Sequence, residues 1–222
     1  MLRKALLVCG ILSSLLYVGT DVLAAMRYGD YHSFTSRAIS ELYAIGAPTK
    51  QLVDPLFITY SVLLMAFGVG LWSSPGRKRA LHLVGGLLIG IAVVGLVTGL
   101  FFPMQLRGTG DVSGDAPHIA LTGVSVLFIL LAVVFGSSLY GRRFRLYSFA
   151  TLLILFVFGA LAGFEGARLA ARQPTPWLGL TERINIGAYL LWVLVLAITL
   201  LRAQELTTPT QPRWNKRFWV TA

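Results

Sequence analysis

The sequence predicts an all-α polytopic membrane protein, a bundle of six transmembrane helices with both termini in the cytoplasm. Three observations carry that expectation. The chain is 56% hydrophobic and only 13% charged, with a mean hydropathy of +0.74, whereas water-soluble domains run near 45–50% apolar and about 25% charged. The apolar residues fall into six runs of roughly bilayer-spanning length. Lys and Arg sit in short segments between those runs, densest on alternate sides.

The net charge of +10 would point to nucleic acid in a soluble protein. Here no polar domain is large enough to carry a basic face, so nucleic acid is excluded. Membrane lipids are the expected partners, and a homo-oligomer or small membrane complex is left open. The lone Cys9 lies inside the first apolar run, which removes an intramolecular disulfide and any cysteine-based metal site.

The six expected helices lie near Ala5–Ala25, Asp54–Trp72, Ala80–Phe102, His118–Tyr140, Leu146–Glu165 and Arg183–Leu201. Together they form one transmembrane domain over 1–206, followed by a basic, aromatic tail over 207–222 suited to anionic lipid surfaces. The first run follows Arg3 and Lys4 as a secretory signal would, but it is long for one and Asp21 sits at the would-be cleavage site, so it reads as an uncleaved helix. The long loop 26–53 precedes the second helix, whose start reads as an Asp54 cap before Pro55. The third helix carries Gly86, Gly90, Gly95 and Gly99 at small-xxx-small spacing, which predicts close packing near the bundle centre. The fourth opens on Asp115-Ala116-Pro117-His118 and the last on Thr181-Glu182-Arg183, each with the chemistry of an N-cap.

Orientation follows from the basic residues. Twelve Lys and Arg lie on the side of the termini and the two short loops, against seven on the other, which places both termini inside. Eight of the nine acids (all but Glu205) lie at the opposite, outer side. The orientation rule does not require that asymmetry, so it marks the outer side as the one with chemistry. Three polar stripes descend from it: Ser14, Tyr17 and Asp21; Asp115, His118, Thr122 and Ser125; Glu182, Asn185, Tyr189 and Trp192. Polar groups are costly in lipid, so such stripes face the interior, where they line a cavity or merely bond helix to helix.

The run from Ala38 through Ser40, Glu41 and Leu42 to Gly46-Ala47-Pro48, followed by Asp54, resembles the I-S-E-L…G-A-P signature of the domain of unknown function 998 family, uncharacterised prokaryotic membrane proteins. Phe101-Phe102-Pro103, Asp115…His118 and Gly179–Arg183 also fit that pattern, so the resemblance covers nearly the whole chain. Tyr43 stands where the family usually has Gly, and Met104 where a polar residue or Cys often follows the Phe-Pro. The resemblance implies a six-helix fold in a prokaryotic cell membrane and no known activity. A fainter likeness joins the chain to Frag1/DRAM-type six-helix proteins, some of them linked to lipid remodelling.

Three functions compete. A lipid-acting hydrolase or transferase would use His118, Asp115, Ser40 and Glu41 as its catalytic residues. A divalent metal held by His118, Asp115 and His32 is compatible, although no tight ligand spacing is present. A small proton-coupled carrier would use Asp21, Glu165 and Glu182 beside Arg168 and Arg183. In a non-catalytic lipid-binding, sensing or assembly subunit, the same charges would be structural pairs. The expectation carried forward is an outward-facing polar pocket for lipid-like headgroups, bounded by those residues with Arg37, Asn185 and Tyr189.

Overall fold

A computed structural model describes residues 2–28, 34–74, 79–108 and 115–207, of which 204–207 by backbone alone. His32, Asp30, Asp111, Arg77, Lys78 and the tail beyond 207 lie outside the described residues. Six helices are long and apolar enough to span a bilayer: α1 (Leu2–Arg27), α2 (Lys50–Trp72), α3 (Arg79–Phe101), α4 (Ala116–Gly136), α5 (Arg142–Ala170) and α6 (Leu178–Thr207). A short 3₁₀ helix, Ile39–Tyr43, interrupts the α1–α2 loop. No strand occurs among the described residues. The molecule is a multi-pass membrane protein.

Each helix packs against its neighbour in sequence, and α1 closes against α6, so the six form a ring in chain order. The described residues of the loops between α1 and α2, α3 and α4, and α5 and α6 gather at one end, here the long-loop end. The apolar core runs through the ring and includes Leu7, Phe67, Leu71, Val84, Leu88, Val133, Trp192 and Leu196, all nearly or fully buried. Where lipid competes as an apolar solvent, close fit rather than hydrophobic burial holds such helices together.

Glycine supplies that fit at two places. At the α2–α3 crossing, a Cβ on Gly85 would lie 2.7 Å from the Gly68 carbonyl oxygen and 2.8 Å from the Trp72 nitrogen, so the two backbones touch. In α4, a Cβ on Gly136 would overlap the Trp192 ring of α6. Trp192 then donates from Nε1 to Ser148 Oγ of α5 at 3.0 Å, satisfying its one polar atom in the apolar interior.

Several expectations need correction. α3 packs mainly against α2 and α4 and does not occupy the centre. Of its glycines, Gly86 receives Trp72, Gly90 receives Phe128 of α4, and Gly95 and Gly99 receive Phe57 of α2. α2 starts at Lys50, so Asp54 is no cap; it forms an i,i+4 ion pair with Lys50 at 2.9 Å. α6 starts at Leu178, so Thr181 and Glu182 are already helical. α5 and α6 also outrun their apolar stretches, because a helix satisfies its own backbone and need not stop at the hydrocarbon boundary. The buried part of the α4 stripe ends at His118, since Thr122 is exposed.

Candidate functional site

The long-loop end is built around the 3₁₀ helix. The amides at its start have no partner within so short a helix, and two carboxylates, buried Glu41 and part-buried Glu182, accept from them. Glu41 Oε2 accepts from Ala38 N at 2.7 Å, and Glu182 Oε2, reaching from α6, accepts from Ile39 N at 2.7 Å. Glu182 therefore caps a helix, but a different one from its own.

Two arginines tie this core to its surroundings. Arg107, from the α3–α4 loop, donates from Nε to Glu41 Oε1 at 2.8 Å and from Nη2 to Glu41 Oε2 at 3.1 Å. Its Nη1 donates to Thr175 Oγ1 at 2.9 Å, so one guanidinium joins all three loops of this end. Arg37 adds a longer contact to Glu41 at 3.7 Å. Arg183 of α6 forms a bidentate pair with Asp21 of α1, at 2.8 and 3.0 Å, and donates to the Phe34 and Arg37 carbonyls at 3.0 and 2.8 Å. The fork geometry of Arg suits both pairings, since it offers five donors in a fixed plane. The 34–37 backbone runs so close over α6 that a Cβ on Gly179 would overlap the Phe34 and Arg37 carbonyl oxygens.

The remaining candidates are held separately. Asp115 occupies the N-cap position of α4 but makes no cap bond; its Oδ1 accepts from Gln105 N at 2.9 Å. His118 is 5% exposed and its Nδ1 faces the Phe102 carbonyl at 2.8 Å, which requires the proton on Nδ1. Ser40 is buried within the 3₁₀ helix. Glu165 accepts from Trp177 N at 3.3 Å and lies 3.9 Å from Arg168. Asn185 donates to the Leu155 carbonyl of α5 at 2.8 Å. Tyr189 is buried deeper, its hydroxyl near that of Tyr60 without a well-formed bond. Burial pushes the Tyr43 hydroxyl above its ordinary range, with Glu182 and Asp54 adding to the effect.

The proposed catalytic quartet therefore splits. Asp115, His118 and Glu41 each engage a different part of the chain and are bonded to backbone groups or to Arg107, not to one another. Asp21, Glu182 and Arg183 gather on the α1–α6 side. Among the described residues no group of three or more His, Cys, Asp or Glu side chains is disposed to hold a metal.

What the geometry does bring together is a cleft of about 280 Å³ between the α3–α4 loop and the end of α5. It is lined by Glu41, Gln105, Arg107, Asp115, Arg172 and Gln173, over a floor that includes Met104, Leu106 and Leu169. Besides Arg107, sequence reasoning passed over Arg172. It ends α5 with φ +57°, the only non-glycine at positive φ among the described residues. Its amide bonds to the Leu169 carbonyl and that of Gln173 to the Arg168 carbonyl, the paired closure in which glycine is the usual occupant of the left-handed position. Its exposed side chain has no partner among the described residues. The available signal was an Arg where a helix stop favours Gly.

No curated protein and no solved structure matches the chain. One family does, over residues 11–199, and with nearly the whole transmembrane region inside that match the chain belongs to the family described as Protein of unknown function (DUF998).

Proposed function

We propose that this protein binds the headgroup of a zwitterionic phospholipid in the cleft at its long-loop end, on the non-cytoplasmic side of a cell membrane. The observation that carries the reading is Arg172. A left-handed Arg costs about 1–3 kcal/mol of strain; its backbone closes α5, a role that glycine fills without that cost, and its side chain has no partner among the described residues. It stands at the rim of a cleft, where an unpaired guanidinium matches a phosphate.

Charge and size narrow the ligand. Glu41 and Arg107 neutralise each other, which leaves Arg172 for an anion and the second oxygen of Asp115 for a cation. A volume of about 280 Å³ falls just below the range of about 300–1,000 Å³ for small-molecule sites. It suits a phosphoethanolamine-sized group and not a whole lipid. Binding is favoured over hydrolysis because His118 and Asp115 are both turned to backbone groups and lack a shared reacting position.

Native mass spectrometry of the detergent-purified protein tests this. Arg172→Gln and Asp115→Asn should each reduce retention of phosphatidylethanolamine relative to wild type. Unchanged retention in both would defeat the proposal.

A further inference from the structure

The ring of helices is not equally closed along its length. In the half away from the long loops, α4 buries Ala132, Val133 and Gly136, and Trp192 bridges α4, α5 and α6. In the half beneath the cleft, seven of the nine residues from Ile119 to Leu127 on α4 are exposed. A helix turns about 100° per residue, so these residues point in nearly every direction, and exposure is not confined to one lipid-facing stripe. On α6, every residue from Glu182 to Ala188 keeps partial exposure, although α1 and α5 flank that helix. A Cβ added at Gly123 of α4, Gly163 of α5 or Gly187 of α6 would meet open space. The α4–α5 seam is also the thinnest of the six.

Such exposure and sparse α4–α5 contact are what a crevice between the cleft-side halves of α4 and α5 would produce. It would open at the cleft, since Asp115 begins α4 and Leu169 and Arg172 stand at the end of α5. We propose that one acyl chain of a bound phospholipid enters this crevice sideways from the adjoining leaflet while its headgroup occupies the cleft. The upper half of that pose rests on the headgroup reading above; the lower half rests on the exposure pattern. Water does not fill an apolar opening in the hydrocarbon region, because it finds no polar partners there, whereas a chain from the bilayer is already at that depth. Continuity with a charged mouth selects a lipid as the occupant.

The test uses the full chain in detergent, with palmitoyl-oleoyl phosphatidylethanolamine and, separately, water-soluble glycerophosphoethanolamine as probes. Lipid is read by native mass spectrometry and the soluble headgroup by ligand-observed NMR. Gly163→Phe and Gly187→Leu each fill open space, so one serves if the other misfolds. The expected result is at least about tenfold weaker lipid retention in the filled variants, with glycerophosphoethanolamine binding unchanged, while Arg172→Gln weakens both. Filled variants that retain lipid normally while Arg172→Gln loses it would overturn the chain crevice and leave the headgroup reading standing. Loss of lipid in the filled variants with no effect of Arg172→Gln on either probe would keep the crevice and remove the headgroup reading. Filled variants that turn a dimer into a monomer without altering lipid retention would make the crevice an interface between copies and overturn the inference.

Discussion

The two halves of this bundle are held by different physics. Away from the long loops, the helices are joined by shape: Gly68 against Gly85, Gly136 under Trp192, Gly10 under Phe67. At the long-loop end they are joined by charge: Asp21 with Arg183 and Glu41 with Arg107, each pair linking segments distant in sequence. The difference follows from the solvent. Deep in the hydrocarbon an ion pair is expensive, so packing must serve. Near the interface, loops carry backbone groups that need partners, and carboxylates and guanidinium forks provide them. Polar clamps hold loops in place without filling space, which is how this half keeps a cleft while the other is filled.

The comparison can be broken at the clamps first. Arg183→Leu leaves Asp21 uncompensated and strips two loop carbonyls of their donor, and it should cost about 3–5 kcal/mol, seen as a large loss of thermal stability in detergent. A loss below about 1 kcal/mol would mean the clamp is not what joins α1 to α6. Glu41→Gln should cost about 2–4 kcal/mol by orphaning Arg107 and weakening the 3₁₀ cap. Adding Arg107→Gln should then cost less than the sum of the two single changes; strict additivity would refute their coupling.

In the shape-held half, Gly136→Val forces the Trp192 ring aside and should cost about 1–3 kcal/mol. Tryptophan emission should shift with it as the Ser148 bond is lost. The smallest effect sharpens the contrast instead of breaking it. Arg172→Gly should leave stability unchanged or raise it by up to about 1 kcal/mol, while phosphatidylethanolamine retention falls. A destabilised protein with normal lipid retention would assign Arg172 a structural role.

The sequence made the fold class legible because six apolar runs in a poorly charged chain have few other uses. It was less informative about helix ends. Asp54-Pro55 has the chemistry of a helix start, yet the Lys50–Asp54 pair and the helical turn before it carry α2 further back. Glu41, Glu182 and Asp21 were legible as members of an acidic end, but their partners were not. Arg107 meets Glu41 across 66 positions and Arg183 meets Asp21 across 162, and no local spacing encodes such a meeting. The α4 stripe misled for a related reason: a 3.6-residue period says which residues share a face, not whether that face has a neighbour. Thr122 shares a face with His118, yet it is exposed where His118 is buried.

The ring order has a consequence for biogenesis. Because each helix meets its sequence neighbour, five of the six contacts can form as the chain emerges, helix after helix. The sixth cannot. Asp21 is delivered to the membrane with the first helix, and Arg183 arrives only with the last. Throughout the intervening synthesis, that carboxylate waits at the edge of the bilayer without its counter-charge. Completion of the bundle is thus gated by its final segment, and a nascent chain stalled before residue 183 should remain open between α1 and the growing end, a state in which membrane quality control would find an unpaired acid to recognise.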